Sequence, residues 1–231
     1  MGLRLRRALE LYTYFPFGIA SRMALLEALG ALLIRHRQCS WADAGEDRII
    51  ASYLGLGTPG FYVDVGCNHP FISSNTAYLY SRGWRGVAVD GNPEVIRLFR
   101  RLRPRDCAVC AVVSNQSQSV DFCINRNSAF SAIAPAHGKD QLGDAGNAVG
   151  ECVRVGTVPL QAIMEGSGVP PVFGLLSVDV EGHEFEVLSS FDLGAFRPRV
   201  VVVEMHGFRP DQPGPDRVYR YLERNHYSLR S

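Results

Sequence analysis

Two apolar runs that end in acidic residues and glycine constrain the fold of this chain most. The first is Phe61-Tyr-Val-Asp-Val-Gly66, the second is Leu175-Leu-Ser-Val-Asp-Val-Glu-Gly182, and a third run, Gly86-Val-Ala-Val-Asp90, lies between them. Short β-branched runs of this kind are typical of parallel strands that are buried on both faces. The carboxyl ends of such strands meet at one edge of a sheet, where a ligand crevice opens. The sequence therefore predicts a parallel sheet with a ligand site at the ends of these runs.

The segments between and after these runs alternate between strand and helix patterns. A helix from about Pro93 to Arg103 has proline in its first turn and ends before Pro104, as helices commonly do. The alternation predicts an α/β fold with a doubly wound, mostly parallel sheet. Further strands are predicted at Cys107 to Val113, Val120 to Ile124, Val153 to Val158 and Val200 to Glu204, and further helices at Thr76 to Tyr80, Gly182 to Leu193 and Pro215 to Asn225.

The chain divides into a helical extension, residues 1–44, and one larger domain, residues 45–231. The longest apolar stretch of the extension, Met23 to Ile34, contains Glu27 and is too short to span a bilayer. We expect the extension to cap the domain or to pair two subunits in a homodimer, and peripheral contact with a membrane surface is the alternative. Residues 125–151 are rich in Ser, Ala, Gly and Asn, and such a long loop is typically a lid or a binding segment.

Charge and cysteine content limit the partners and the compartment. The net charge is +1 and the arginines form no basic stripe, so nucleic acid is not expected as a partner. The six cysteines do not form a disulfide-scaffold pattern, and the N-terminus lacks the features of a secretory signal. We therefore expect reduced thiols and a cytoplasmic protein without a transmembrane segment. Cys107 and Cys110 lie in a predicted strand, which favours a buried structural role over a metal site.

The loop after the first strand indicates which nucleoside cofactor the fold accepts. A dinucleotide-binding loop needs three glycines, whereas Gly66-Cys-Asn-His-Pro70 has one, so a diphosphate ligand is disfavoured. S-adenosylmethionine carries adenine and ribose without a diphosphate. One glycine for the turn and one acid for the ribose hydroxyls suffice for it, and Asp90 is placed to be that acid.

Several short motifs occur in an order and spacing that is more specific than any of them alone. They are Gly45-Glu-Asp47, Tyr62-Val-Asp-Val-Gly-Cys-Asn-His-Pro70, Ser74-Asn-Thr76, Gly83-Trp-Arg-Gly86, Val89-Asp-Gly-Asn-Pro93 and Val178-Asp-Val-Glu-Gly-His-Glu184. With them the chain resembles the FkbM-type family of S-adenosylmethionine-dependent methyltransferases, from about Gly45 to Glu204. The resemblance implies a class I, Rossmann-like fold and methyl transfer, commonly to an oxygen of a sugar or natural-product acceptor. It also implies final strands that are not evident before Ser231.

The resemblance assigns cofactor-binding roles to residues near the strand ends. It places Asp64 and Gly66 along the methionine part of the cofactor, and Asp90 at the ribose. Ser114 is expected to border adenine, and Glu46 to close over the cofactor. Cys67 departs from the family pattern, in which this position is usually small and inert. The predicted cofactor-binding residues are Glu46, Asp64, Gly66, Cys67, Asn68, Asp90, Ser114 and Asp179.

Three residues that follow the strand from Leu175 are candidates for catalysis: Asp179, Glu181 and His183. A carboxylate that ends a doubly buried strand is costly unless it is paired or used, so we expect a functional role for Asp179. Glu181 lies at the start of a predicted helix, where the macrodipole stabilises an acid, and helix stability is the alternative for it. His183 has the chemistry of a base for an acceptor hydroxyl, with a surface histidine as the alternative.

A divalent cation is a further alternative at the same edge of the sheet. Glu204-Met-His206 follows the strand that is expected beside Asp179. This set is similar to the acids and amide around the divalent ion of metal-dependent catechol-type methyltransferases. Hydrogen bonding at helix ends is the plainer explanation for Asp179, Glu204 and His206.

The expected reaction is in-line displacement at the sulfonium methyl by an oxygen of a small-molecule or glycan acceptor. Two other function classes stay open. A nicotinamide-dependent oxidoreductase shares the α/β pattern, but Lys139 is the sole lysine and has Pro135 four residues before it, so the sequence has no Tyr-x-x-x-Lys pair. A non-catalytic cofactor-binding module of the same fold is the other alternative.

Overall fold

The computed structural model describes residues 40–123, 132–133 and 152–230. Most of the predicted helical extension and of the predicted lid lies outside these residues, so the homodimer, the membrane contact and the lid stay predictions. Among the described residues, no helix is both long enough and apolar enough to cross a membrane.

Strands and helices alternate along the described chain, as the sequence predicts. The first half contains α1 (Glu46–Leu54), β1 (Phe61–Val65), α2 (Ala77–Ser81), β2 (Arg85–Asp90), α3 (Pro93–Leu102), β3 (Cys107–Cys110) and β4 (Val112–Val113). The second half contains β5 (Ser119–Cys123), β6 (Ala132–Ile133), β7 (Cys152–Val158), α4 (Leu160–Gly166), β8 (Val172–Val178), α5 (Glu184–Leu188), β9 (Arg197–Val203) and α6 (Arg217–Arg224).

The main sheet has five parallel strands within the described residues, in the order β3-β2-β1-β8-β9. Val63 of β1 pairs with Val87 of β2 on one side and with Leu176 of β8 on the other, so the ends of the three strands lie level. The chain order reverses between β1 and β8, and ligands of open α/β sheets bind at such a reversal. The predicted doubly wound, Rossmann-like α/β fold is therefore confirmed.

Alternate side chains of the strands pack into hydrophobic layers on the two faces of the sheet. Val63, Val87 and Leu176 belong to one layer, together with Leu160 and Met164 of α4. Fully burying each such side chain stabilises the fold by about 1.5–3 kcal/mol, which makes this sheet a rigid base for the site at its edge. The opposite layer consists of Ile50, Leu54, Tyr62, Leu79, Trp84 and Leu175.

The helix predicted from Gly182 to Leu193 is shorter in the structure, where α5 spans Glu184–Leu188. The Ser190 hydroxyl donates to the carbonyl of Val187 (2.6 Å) and accepts from the N–H of Leu160 (2.9 Å). A serine side chain that bonds nearby backbone in this way competes with the helical hydrogen bonds. The helix therefore ends early.

The strand predicted from Cys107 to Val113 is divided in the structure. The N–H of Ala111 donates to the carbonyl of Asp90 (3.0 Å), and after this residue the chain leaves the main sheet. β4 then pairs with β7 in a second sheet, whose order in the described residues is β4-β7-β5-β6. This second sheet lies beside the end of β2, because Phe122 of β5 approaches Gly91.

The structure corrects both expectations about the cysteines. Cys123 of β5 and Cys152 of β7 are register partners with Cα atoms 3.9 Å apart, and their sulfurs form a disulfide. The prediction of reduced thiols is therefore wrong for this pair. Cys107 and Cys110 are exposed, so their predicted burial is also wrong. The reason is that β3 is an edge strand of the main sheet in the described part of the chain.

Candidate active site

The acidic residues that end the predicted strands meet at one edge of the main sheet. The N–H of Gly66 donates to the carbonyl of Val89 (2.9 Å), and the N–H of Asp179 donates to the carbonyl of Val65 (3.0 Å). These bonds extend the ladders past the ends of β1, β2 and β8. They hold the loops that follow these strands side by side.

The cleft at this edge consists of two adjoining chambers. Gly66, Asp90 and Asp179 line both of them. One chamber is polar, and its other lining residues are Asp43, Asp64, Cys67, Asn68, Ser73, Ser74, Asn75, Ser177, Glu181 and Glu204. The other is mostly apolar and is completed by Val65, Val89, Gly91, Ala111, Val112, Val113, Phe122, Val180 and His183.

Gly66 forms a turn that lines both chambers. Its φ angle is 78°, a left-handed conformation that glycine adopts without the steric cost of a Cβ. A Cβ at this position would also overlap the backbone carbonyl oxygen of Asp179. The glycine therefore permits the close approach of the loops after β1 and β8, which is a structural reason for the residue besides its predicted role at the cofactor.

Asp90 ends β2 and connects the loops on either side of it. One carboxylate oxygen accepts from the N–H of Asn68 (3.1 Å) and the other from the N–H of Asn92 (2.8 Å). Burial raises the pKa of Asp90 to about 6, although the two N–H donors oppose the shift. Each oxygen has a further lone pair, so the carboxylate can still accept hydrogen bonds from two hydroxyls of a ligand.

Asp64 lies within β1 and is almost fully buried at the base of the polar chamber. Its Oδ2 accepts from the hydroxyl of Thr76 (2.6 Å), and the Ser177 hydroxyl also hydrogen-bonds to the carboxylate. Burial raises the pKa of Asp64, whereas these hydrogen bonds and the positive charge of Arg103 oppose the rise. The neighbouring Cys67 thiol is buried, which raises its pKa well above the usual range and keeps it protonated.

His183 lies at the apolar chamber and Ser114 lies beside it. The His183 Nε2 and the Ser114 Oγ are 3.1 Å apart, and Nδ1 lies 3.7 Å from a carboxylate oxygen of Glu186. Burial lowers the pKa of His183 below its usual value despite the acidic neighbours, so the imidazole is neutral at pH 7. Ser114 is buried, and the structure places it next to the histidine.

Asp179 and Glu204 form a hydrogen-bonded pair of carboxyl groups at the ends of β8 and β9. Burial of Asp179, its hydrogen bond with Glu204 and the negative charge of Glu204 raise the pKa of Asp179 to about 8. Two close carboxylates cannot both be ionised cheaply, so Asp179 keeps its proton at neutral pH. Asp179 thus belongs to the candidate site in a protonated state.

Two of the residues predicted to hold a metal, Glu204 and His206, lie close together with Glu181. A ligand atom each from Glu181, Glu204 and His206 lies within 4.8 Å of the others. The Nε2 of His206 is 3.2 Å from Glu181 and 3.8 Å from Glu204, and these acids raise the pKa of His206. Two carboxylates and an imidazole suit a divalent cation, but the predicted set named Asp179 where the structure brings in Glu181.

Glu46 lies at the start of α1, where its carboxylate accepts from the N–H of Ala44 (3.0 Å). The residue from this segment that lines the polar chamber is Asp43, which accepts a hydrogen bond from Ser73 (2.8 Å). Closure of Glu46 over a cofactor therefore stays a prediction.

The residues that interact with the Asp64 carboxylate were not predicted from the sequence. Thr76, Ser177 and Arg103 all act on this carboxylate, and Asn75 donates to the Ser177 hydroxyl (3.3 Å). The Ser74-Asn-Thr76 motif was the signal in the sequence, because it contributes two of these residues. Arg103 had no such signal, since it lies in an arginine-rich helix end that reads as solvated surface.

Comparison with known protein families agrees with this geometry. The family model of the Methyltransferase FkbM domain matches residues 64–229, which include every residue that lines the two chambers of the cleft except Asp43. Searches of curated proteins and of solved structures gave no significant match. The family match covers more than half of the chain, and the chain therefore belongs to the FkbM methyltransferase family.

Proposed function

We propose that this protein transfers a methyl group from S-adenosylmethionine to a hydroxyl oxygen of a sugar or another small natural product. The observation that carries the proposal is the cleft of two adjoining chambers, polar and apolar, with Asp90 lining both. S-adenosylmethionine has the same order of parts, because its ribose joins an adenine to a charged methionine.

The chain offers a suitable partner for each of these parts. The apolar chamber provides Val112, Phe122 and His183 for an adenine ring, and Asp90 provides lone pairs for the ribose hydroxyls. Asp64, in the polar chamber, offers a carboxylate to the cationic methionine end. The single glycine of the first loop also fits, because the ligand has no diphosphate that backbone must approach.

The cofactor supplies an activated methyl group on a positively charged sulfur. The protein then needs to align an acceptor oxygen behind that carbon, exclude water and remove the acceptor proton. Asp179 lines both chambers, whereas His183 belongs to the apolar chamber alone. We therefore propose that Asp179 receives the proton once it is ionised, with Glu181 beside it orienting the acceptor, and that His183 mainly contacts the cofactor.

The pH dependence of turnover separates these two bases. If the Asp179 carboxylate is needed, the rate should increase with pH through a value near 8, because the pKa of Asp179 is raised to about 8. If His183 is the base, the rate should instead increase with pH in a range below the usual pKa of histidine, because burial lowers the pKa of His183. Asp179→Asn and His183→Ala are the matched variants. Our proposal is supported if the increase of the rate near pH 8 is lost in Asp179→Asn and kept in His183→Ala.

Calorimetry with S-adenosylmethionine and with NAD tests the cofactor. We expect binding of the first only, and Asp90→Ala should weaken it by about 1–3 kcal/mol, the scale of hydrogen bonds to a charged group. Asp192→Ala is a matched control, because Asp192 caps the Gly194 turn outside both chambers. NAD binding without a response to S-adenosylmethionine would overturn the proposal.

Mass spectrometry of acceptor libraries tests the reaction itself. A mass increase of one methyl group, on sugars or hydroxylated natural products incubated with enzyme and cofactor, is the expected result. Cofactor binding without a methylated product in any acceptor class would instead favour the non-catalytic binding module.

A further inference from the structure

Arg103 is fully buried, although its guanidinium carries a charge. It follows α3, and its Nε donates to Asp106 (2.8 Å) while Nη1 donates to the carbonyl of Pro70 (3.1 Å). Its Nη2 donates to the hydroxyl of Tyr62 (2.6 Å) and also to Oγ1 of Thr76 (3.0 Å). A charge is kept in an interior only where such bonds satisfy it, so the position of the guanidinium is closely determined.

Arg103 is connected to Asp64 through the Thr76 hydroxyl, and the donor of each of the two hydrogen bonds is determined. A guanidinium donates and cannot accept, so the Thr76 oxygen must be the acceptor of the bond from Arg103. The Thr76 proton is then free for Oδ2 of Asp64, at 2.6 Å. Thr76 therefore transmits the orientation of a buried cation to a carboxylate of the polar chamber.

Thr76 precedes α2 at the N-cap position but makes no capping bond with its side chain. The cap is provided by Ser74, whose Oγ accepts from the N–H of Ala77 (3.2 Å). The Ser74 Oγ also lies 3.5 Å from Oγ1 of Thr76, but its capping bond to Ala77 does not pass through the Thr76 hydroxyl. Removal of this hydroxyl should act on Asp64 with little effect on α2.

We propose that Thr76 is a positioning residue for the methyl donor: Arg103 orients its hydroxyl, which hydrogen-bonds to the Asp64 carboxylate and directs it toward a cationic group of the ligand. This inference rests on the proposed function, because the ammonium and sulfonium groups of S-adenosylmethionine are the cations concerned. Family membership alone does not assign this role, since it acts through a residue outside the cleft.

The charge state of Asp64 depends on several neighbours. Burial raises its pKa, and the Thr76 hydrogen bond is the strongest influence that opposes the rise. Without that bond the carboxylate should be protonated up to a higher pH. The other titratable or charged groups that interact with it are Cys67 after β1, Asp90 at the end of β2, Arg103 after α3, Asp106 before β3 and Asp179 after β8.

Thr76→Val tests the proposal, because it keeps the shape of the side chain and removes the hydroxyl. Calorimetry across a pH series should show that S-adenosylmethionine binds about 10- to 100-fold more weakly at acidic pH, the scale of one hydrogen bond to a charged group. Affinity should recover at alkaline pH, and Thr76→Ser should resemble the wild type. An equal loss at all pH values would indicate a merely structural role and would overturn the proposal.

Two further measurements separate this inference from the proposed function. In an Asp64→Asn background, Thr76→Val should cause no additional shift of the pH profile. Carboxyl NMR can follow the titration of Asp64 directly, with Asp64→Asn identifying the signal, and Thr76→Val should raise its pKa. If the wild type binds no S-adenosylmethionine at any pH, the proposed function fails, and an unchanged Asp64 titration in Thr76→Val would separately refute the positioning role.

Discussion

Replacing Gly66 by alanine should destabilise the protein far more than the same change at another left-handed glycine. The φ angle of Gly66 is 78°, and holding a residue with a Cβ there costs about 1–2 kcal/mol. The added Cβ also overlaps the Asp179 carbonyl oxygen, which is backbone and cannot rotate away. Overpacking of this kind adds roughly 1–3 kcal/mol, so the total loss is about 2–5 kcal/mol.

Gly168→Ala is the matched control for this prediction. Gly168 also has a positive φ angle, 65°, but within the described residues no atom lies within 4 Å of a Cβ built there. Its loss should therefore be limited to the conformational part, about 1–2 kcal/mol. Urea unfolding followed by tryptophan fluorescence measures both variants. Equal losses would show that the close approach of the loops after β1 and β8 does not restrict this position.

Three further predictions concern other features of the fold and the site. Because the pKa of Asp179 is raised to about 8, the folded state favours its protonated form, and wild-type stability should fall as pH rises from about 4 to 8. Asp179→Asn should make this decline shallower, with a gain of about 1 kcal/mol or more at the upper end, while the raised pKa of Asp90 keeps part of it. A parallel pH dependence in thermal melts of both proteins would contradict the prediction. Alkylation followed by mass spectrometry should modify two more thiols after reduction than before, from Cys123 and Cys152, and equal labelling would refute the disulfide. A chelator should leave methyl transfer unchanged, whereas a loss that Mg²⁺ restores would assign a cation to Glu181, Glu204 and His206.

The sequence was sufficient for features that depend on local chain pattern. The run from Phe61 to Val65 is apolar because both faces of β1 are covered, and its composition alone indicates a central parallel strand. The start of α3 at Asn92-Pro93 could also be predicted locally, since the Asn92 side chain caps the helix by accepting a hydrogen bond from the N–H of Glu94. The position of Asp90 at a strand end followed from the same pattern.

Features that depend on contacts between distant segments could not be predicted in this way. Cys123 and Cys152 are separated by 29 residues, and only the pairing of β5 with β7 places them opposite each other. The same limit applies to Arg103, because its burial depends on Tyr62 and Asp106, which belong to separate elements. No local periodicity contains information about these partners.

The disulfide that joins the end of β5 to the start of β7 affects how the length of the segment between its cysteines can change. It holds Cys123 and Cys152 with their Cα atoms 3.9 Å apart, and between these two residues β6 pairs with β5 in the same sheet. Once its ends are fixed, doubling the length of a flexible segment costs only about 0.6 kcal/mol in closure entropy. Insertions before or after β6 should therefore be tolerated while Phe122, which pairs with Ile133 of β6, keeps its place in the apolar chamber. The protein is in this sense a ready scaffold for grafting new segments beside a constant cleft.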